Sequence, residues 1–315
     1  MKIGIEFCYD LENSEVNKEI FMKFKATGFD AIDFNTCDNK TDFYKLEGEK
    51  FTELLNKVKT EINEAGLFVS QVHGPWMCPP VCDYSEESRI KRMAEMKKSI
   101  ELTSFLGSKY FIIHPLMPFG CDNVPIETEK DAFEINKKFF SELTSYAESK
   151  NVVIAFENMP FPTLPMSPPH KILEFIKAID SDYFKMCLDT GHANCVMEGD
   201  IYSNVKAMGN ELKVLHVHDN DGKGDFHKFP FDGNFDWQEF TKALKEINYE
   251  GVFSLETKPK STFGTKEYDE ELKYLYATAK KLTEKKLNLP IYTLVGYFFK
   301  SKVLCLALFF AESSP

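Results

Sequence analysis

The chain has 315 residues, of which 43% are hydrophobic and 28% charged, and its formal net charge is −11. This composition is typical of a globular protein, and it excludes disorder, collagen and coiled coil as descriptions of the whole chain. Because proteins that bind polyanions usually carry a basic surface, the acidic balance also argues against nucleic acid as a partner.

The eight cysteines include no Cys-x-x-Cys pair. In a chain this long they are not typical of a disulfide framework, and we interpret them as scattered reduced thiols. Cys78 and Cys82 have the spacing of half a metal site, but a second half is missing. The first residues lack the apolar run of a signal peptide, so we expect a cytoplasmic location.

Short apolar segments alternate with longer amphipathic segments over residues 1–285. We predict eight strands, at Ile3–Cys8, Ala31–Asn35, Leu67–His73, Tyr110–His114, Val152–Glu157, Phe184–Asp189, Leu212–His218 and Gly251–Glu256. We predict helices at about 14–27, 50–65, 86–106, 129–149, 169–180, 200–209, 236–247 and 267–285. Gly28, Gly66 and Gly107 fall where three of these helices should end.

Strict alternation of strands and helices predicts a parallel sheet with helical crossovers. Eight such units favour closure into a (β/α)8 TIM barrel, an α/β fold, over an open doubly wound sheet. The chain also lacks the G-x-G-x-x-G and Walker A motifs of nucleotide-binding open sheets. We therefore predict one barrel domain over residues 1–285.

Residues 286–315 form a strongly apolar tail that does not follow this pattern. Lys300 and Lys302 interrupt its apolar run, and two lysines near the centre of a membrane helix are costly. Three interpretations stay open: a packing or dimerisation segment, a membrane tail anchor, or sequence that is not native to the domain. We place no catalytic residue in this tail and expect no membrane association for the barrel.

Histidines and carboxylates concentrate at the carboxyl ends of the predicted strands, where the active site of a TIM barrel lies. Six of the seven histidines occur at or just beyond strand ends, and only His170 lies elsewhere. Three acidic residues, Glu157, Asp189 and Glu256, follow apolar residues and should point into the barrel. Since three inward carboxylates repel one another unless protonated or neutralised, a divalent cation with mixed oxygen and nitrogen ligands fits this pattern. By periodicity, His216 or His218 is the fourth ligand.

Four short motifs resemble the xylose isomerase-like TIM barrel superfamily, which contains sugar isomerases and epimerases and also endonuclease IV. They are Glu157-Asn158, Asp189-Thr-Gly-His192, His216-Val-His-Asp219 and Leu255-Glu256-Thr257. Each motif alone is weak, but together and in this order they are specific, and the resemblance covers residues 1–285. It implies that Glu157, Asp189, His216 and Glu256 hold a divalent metal, with Mn, Mg or Co expected.

The resemblance also implies a reaction and a set of substrate-binding residues. A metal-dependent sugar or sugar phosphate isomerase or epimerase would transfer a proton through an enediolate, with Glu157 and Glu256 as the catalytic acid and base. Residues expected to contact the sugar are His73, Trp76, His114, His192, His218, Asp225 and His227. The expected partner is a small sugar, with no nucleic acid, and a homo-oligomer is possible.

The alternative is a zinc phosphodiesterase of the endonuclease IV type. That enzyme holds three zinc ions, and every ligand type has a match here: His73, His114, Glu157, Asp189, His192, His216, Asp225, His227 and Glu256. The loop after the seventh strand lacks the arginine expected of ketose epimerases, which favours this alternative. The acidic charge argues against it, as does Gly191, where the repair enzymes have cysteine. We favour the sugar epimerase.

Overall fold

Eight parallel strands, each joined to the next through helix, make up the computed structural model of the chain. It describes residues 1–10, 13–36, 42–75, 85–116 and 129–284. The strands are β1 Ile3–Cys8, β2 Ala31–Asn35, β3 Phe68–His73, β4 Tyr110–Ile113, β5 Val153–Glu157, β6 Phe184–Asp189, β7 Leu212–His216 and β8 Phe253–Leu255.

Nine α-helices occur in the described residues, one more than the alternation predicts. They are α1 Ser14–Thr27, α2 Gly48–Glu64, α3 Glu86–Leu106, α4 Glu129–Ser149, α5 Pro169–Ile179, α6 Thr190–Val196, α7 Ile201–Met208, α8 Trp237–Glu246 and α9 Lys266–Thr283. Short 3-10 helices lie at Asp42–Tyr44 and Gly209–Glu211. The additional helix, α6, starts directly after β6 and was not expected from the sequence.

The strands close into a barrel. The order within the sheet is β7-β6-β5-β4-β3-β2-β1-β8, and β8 pairs in parallel with β1. Just beyond the end of β7, the backbone N–H of Val217 donates to the carbonyl of Ser254, and that of Glu256 donates to the carbonyl of Val217. These two hydrogen bonds join β7 to β8, and the predicted (β/α)8 barrel is confirmed.

Along each strand, side chains point alternately out of the barrel and into it. This alternation produces two apolar layers, one outside the barrel and one inside. Outward-facing side chains such as Phe34, Phe111 and Phe156 are fully buried in the large cluster between barrel and helices. A smaller cluster of Ile112, Ala155, Cys187 and Val214 forms separately from it. The side chains that follow these last residues in the same inward series are polar, and they form the site described below.

Glycines end the helices where the sequence placed them. Gly28 and Gly107 have φ of 122° and 82°, and their backbone N–H groups bond to carbonyls of the preceding turn. Gly66, with φ of 74°, lies one residue beyond the C-cap of α2. Positive φ is readily available to glycine, which explains its use at these helix ends.

Residues Met1–Thr283 form one compact unit. No helix in the described part of the chain is both long and apolar enough to cross a membrane. The predicted tail at 286–315 lies outside the described residues, as does Trp76, so neither prediction is tested by the structure.

Candidate metal centre at the barrel mouth

All eight strands place a polar side chain at the carboxyl end of the barrel. We call this set the mouth ring: Glu6, Asn35, His73, His114, Glu157, Asp189, His216 and Glu256. His114 and Glu256 lie one residue beyond the ends of β4 and β8. Most of the ring is buried, and Glu157 and Asp189 have no exposed surface. Parallel strands alone bring these distant parts of the sequence together.

Glu157 lies at the centre of the histidine contacts. Its Oε1 is 2.7 Å from Nδ1 of His216, and its Oε2 is 3.3 Å from Nε2 of His73 and 3.2 Å from Nε2 of His114. Burial alone would raise the pKa of Glu157, but His216, His114 and His73 hold this pKa well below its ordinary value. The carboxylate is therefore stabilised by surrounding imidazoles.

Two carboxylates approach the same nitrogen of His216. Nδ1 of His216 is 2.7 Å from Glu157 Oε1 and 3.3 Å from Glu256 Oε2. The other ring nitrogen, Nε2, is 3.1 Å from Oδ2 of Asp33, a buried residue of β2 below the ring. A proton on Nε2 would face Asp33 and leave the lone pair on Nδ1 free to bind a cation.

Asp189 joins this centre to a second group of side chains. Its Oδ2 is 3.0 Å from Nε2 of His218, and its Oδ1 accepts the backbone N–H of His192 as the N-cap of α6. Burial, together with Asp189 and Glu157, raises the pKa of Glu256 well above its ordinary value, although His216 opposes this shift.

The loop after β7 brings Asp225 and His227 to the same place. Asp225 Oδ2 is 3.3 Å from Nε2 of His192 and 3.2 Å from Nε2 of His227. The His227 ring stacks on that of His218, with centroids 4.2 Å apart. Burial would lower the pKa of His227, but Asp225 raises it to about 9. The loop thus contributes directly to the mouth.

Gly191 provides space for His218. A Cβ atom at this glycine would lie 2.0 Å from Cε1 of the His218 ring, which is far inside van der Waals contact. Thr190 Oγ1 donates to the carbonyl of His218 and accepts its backbone N–H, which fixes the histidine beyond the end of β7. The glycine of the Asp189-Thr-Gly-His192 motif therefore leaves the space that the His218 ring occupies.

The donors form three groups that could hold a divalent cation. In each group the candidate ligand atoms lie within 4.8 Å of one another. The groups are His73 with Glu157, His216 and Glu256; Asp189 with His192 and His218; and His218 with Asp225 and His227.

The residues present fit such an ion. Within the described part of the chain, the buried Oε2 atoms of Glu157 and Glu256 and the Nδ1 atom of His218 lack a well-aligned hydrogen-bond partner. Mixed carboxylate and imidazole ligands suit zinc, manganese or magnesium. A cation would also remove the repulsion between the buried carboxylates.

The predicted metal quartet is distributed over two of these groups. Glu157, His216 and Glu256 belong to the first group, in which His73 accompanies them. Asp189 belongs to the second, although its charge also raises the pKa of Glu256 in the first. The assignment of four ligands therefore stays a prediction, with every member at the barrel mouth.

Four polar residues near the mouth were not predicted from the sequence, namely Glu6, Asp33, Asn35 and Lys258. Asp33 accepts hydrogen bonds from Gln71 Nε2 at 2.6 Å and Ser254 Oγ at 3.1 Å. Glu6 and Asn35 complete the ring on β1 and β2, and Lys258 lies 3.9 Å from Glu6. Glu6 alternates with Gly4 and Cys8, so strand periodicity would have placed it on the inward face of β1.

Comparison with known proteins identifies the family to which this barrel belongs. The model of the xylose isomerase-like TIM barrel family matches residues 21–278. An uncharacterized protein of Methanocaldococcus jannaschii is 30% identical over 290 residues, covering 90% of this chain and 93% of the relative. A D-psicose 3-epimerase of Enterocloster bolteae is 25% identical over 259 residues, covering 81% and 82%.

Solved structures share the fold. A D-psicose 3-epimerase crystallised in the presence of D-fructose superposes with a TM-score of 0.71 at 15% identity, covering 90% of this chain and 99% of the other. The IOLI protein with a binding zinc atom gives 0.69 at 18% identity, covering 92% and 100%. The resemblance inferred from the four motifs is confirmed, and the chain belongs to the xylose isomerase-like TIM barrel family.

Proposed function

We propose that this protein is a metal-dependent sugar epimerase or isomerase. The observation that carries the proposal is the approach of two buried carboxylates, Glu157 and Glu256, to Nδ1 of His216. Moving a proton at the carbon beside a carbonyl requires an acid and a base held close to the reacting carbon. The D-psicose 3-epimerases among the relatives support a sugar as the substrate.

In this proposal Glu157 and Glu256 act on the substrate in turn. One carboxylate takes the proton from the carbon beside the carbonyl, and the other returns a proton to that carbon. His192 and His218, both buried, donate or accept hydrogen bonds at substrate hydroxyls. A divalent metal held by Glu157, Asp189, His216 and Glu256 would supply a Lewis acid that stabilises negative charge on the substrate oxygens.

Glu157→Gln tests the proposal, because it removes a ligand charge and a proton-transfer group while keeping the side-chain volume. We expect epimerisation to fall at least about 100-fold and the metal content of the purified protein to fall with it. Elemental analysis and a sugar epimerisation assay measure the two effects. Glu174→Gln is the matched control, since that side chain is 63% exposed on α5. A Glu157→Gln protein that keeps its metal and near-normal turnover would falsify the assignment.

A zinc phosphodiesterase is the second candidate, and one contact favours it. His218, Asp225 and His227 form one of the three groups of candidate ligands, and Oδ2 of Asp225 also lies 3.3 Å from Nε2 of His192. Substituting Asp225 and His227 together by alanine separates the two functions. Loss of activity at unchanged metal content supports substrate binding by these residues. Loss of bound zinc, together with cleavage of abasic DNA by the unmodified protein, would favour the phosphodiesterase.

A further inference from the structure

One side of the mouth ring is polar but belongs to none of the three groups of candidate metal ligands. On that side, Oε1 of Glu6 accepts a hydrogen bond from Nδ2 of Asn35 at 2.7 Å. The thiol of Cys8 also approaches Oε1, at 3.8 Å. Oε2 of Glu6 is 3.9 Å from Nζ of Lys258, a residue of the loop after β8. A carboxylate, an amide and an ammonium group therefore meet at the mouth, beside the candidate metal ligands.

These groups are placed to contact a bound molecule. The side chain of Glu6 is 11% exposed and that of Lys258 is 58% exposed, so the pair extends from the barrel interior to the surface of the mouth. Burial raises the pKa of Glu6, but Lys258 and Asn35, with His227 and His216, bring it below its ordinary value. Glu6 therefore carries a negative charge at neutral pH.

The chemistry of this side matches sugar hydroxyl groups. Each hydroxyl both donates and accepts a hydrogen bond, and a carboxylate beside an amide or an ammonium offers both complementary functions. A phosphate group would instead bring its negative charge against Glu6, and juxtaposed like charges are a strong source of discrimination. Because Glu6 partly neutralises the charge of Lys258, the electrostatic attraction between that lysine and a phosphate group is also reduced.

We propose that Glu6, Asn35 and Lys258 bind hydroxyl groups of the sugar at the end away from the reacting carbon, and that the substrate is unphosphorylated at that end. The inference rests on the proposed function for its substrate class, and it assigns a binding role to residues outside the candidate metal ligands.

Calorimetric titration of the metal-loaded full chain with D-psicose and with D-psicose 6-phosphate tests this inference without requiring turnover. We expect the unmodified protein to bind D-psicose at least ten-fold more tightly than the phosphate ester. Glu6→Gln should weaken D-psicose binding about ten-fold, the effect of removing the charge from one hydrogen-bond acceptor. The Glu6→Gln protein should also show a smaller preference for D-psicose over D-psicose 6-phosphate. Metal content should not change, because Glu6 belongs to none of the candidate ligand groups.

Two further variants keep the test decisive. Glu15→Gln makes the same charge change on exposed α1 and should leave both affinities unaltered. Lys258→Met should weaken D-psicose binding and widen the discrimination against the phosphate ester, because Glu6 loses its neighbouring cation. If the Glu6→Gln protein does not fold, two measurements still decide the question. They are the binding of both sugars by the Lys258→Met protein and the preference of the unmodified protein for D-psicose over the phosphate ester.

The outcomes separate this inference from the proposed function. Tighter binding of the phosphate ester by the unmodified protein overturns the inference, even if that protein epimerises sugars. Selective D-psicose binding that depends on Glu6, without any epimerisation, supports the inference and contradicts the proposed function. Failure to bind either sugar overturns the inference.

Discussion

Gly191 and His218 are matched in size at the mouth of the barrel. Because a Cβ at Gly191 would lie 2.0 Å from the His218 ring, we expect Gly191→Ala to lower the free energy of unfolding by about 1–3 kcal/mol, the usual effect of overpacking. Urea denaturation measures the change. In the double variant Gly191→Ala/His218→Ala the ring is gone, so the glycine substitution should cost less than it does alone. An unaltered Gly191→Ala protein would contradict the steric argument.

Asp33 acts on the candidate metal centre through His216, whose Nε2 lies 3.1 Å from its carboxylate. Replacing Asp33 by asparagine removes the charge that orients this imidazole while leaving every proposed ligand in place. We expect metal affinity to fall about 10–100-fold, as found for partners of metal-binding histidines. Competition with a chelator measures the affinity. Asp182→Asn, at a side chain that is 98% exposed, is the control. Equal affinities for both variants would show that Asp33 does not position His216.

Sequence periodicity located the elements well, and the remaining differences have local causes. β1, β2 and β6 have the predicted bounds. β7 ends at His216 instead of His218, because Thr190 takes over the backbone hydrogen bonds of His218. α6 was missed because it has only seven residues, which include a glycine and the site residue His192.

The candidate site was predicted less completely than the fold. Histidines and acids at strand ends identified six of the eight members of the mouth ring. Glu6 and Asn35 were missed because one lies two residues before the end of its strand and the other is an uncharged amide. The pairing of Gly191 with His218 depends on contacts between β6 and β7 that no local pattern records. How the donors divide into groups also depends on side-chain positions.

A side-chain hydrogen bond caps the start of α3. Ser85 is its N-cap, and its hydroxyl accepts the backbone N–H of Ser88 at 3.2 Å. Ser85→Ala should lower the free energy of unfolding by about 1 kcal/mol, because one N–H of the first turn loses its partner. Denaturant titration measures this. Ser145→Ala, at an exposed position inside α4 where alanine is a good helix former, should not destabilise the protein. Equal effects of the two substitutions would argue against the cap.

The barrel explains how residues from Glu6 to Glu256 reach one mouth. Every strand runs in the same direction, so every carboxyl end opens on the same face. Apolar residues fill the space around the strands, and the polar ring is confined to their ends. The net charge of −11 adds a long-range field that disfavours a phosphate backbone as the partner, in agreement with a small uncharged sugar.

We propose that this mouth, with a divalent metal bound, moves a proton at the carbon beside a sugar carbonyl. Incorporation of solvent deuterium into an unphosphorylated ketose, followed by proton NMR in heavy water, measures that step directly. The metal-loaded protein should exchange this one hydrogen of D-psicose or a related ketose and form the epimer, and chelation of the metal should stop both. Metal-loaded protein that exchanges no hydrogen in D-psicose, D-tagatose, D-fructose or L-ribulose would contradict this proposal.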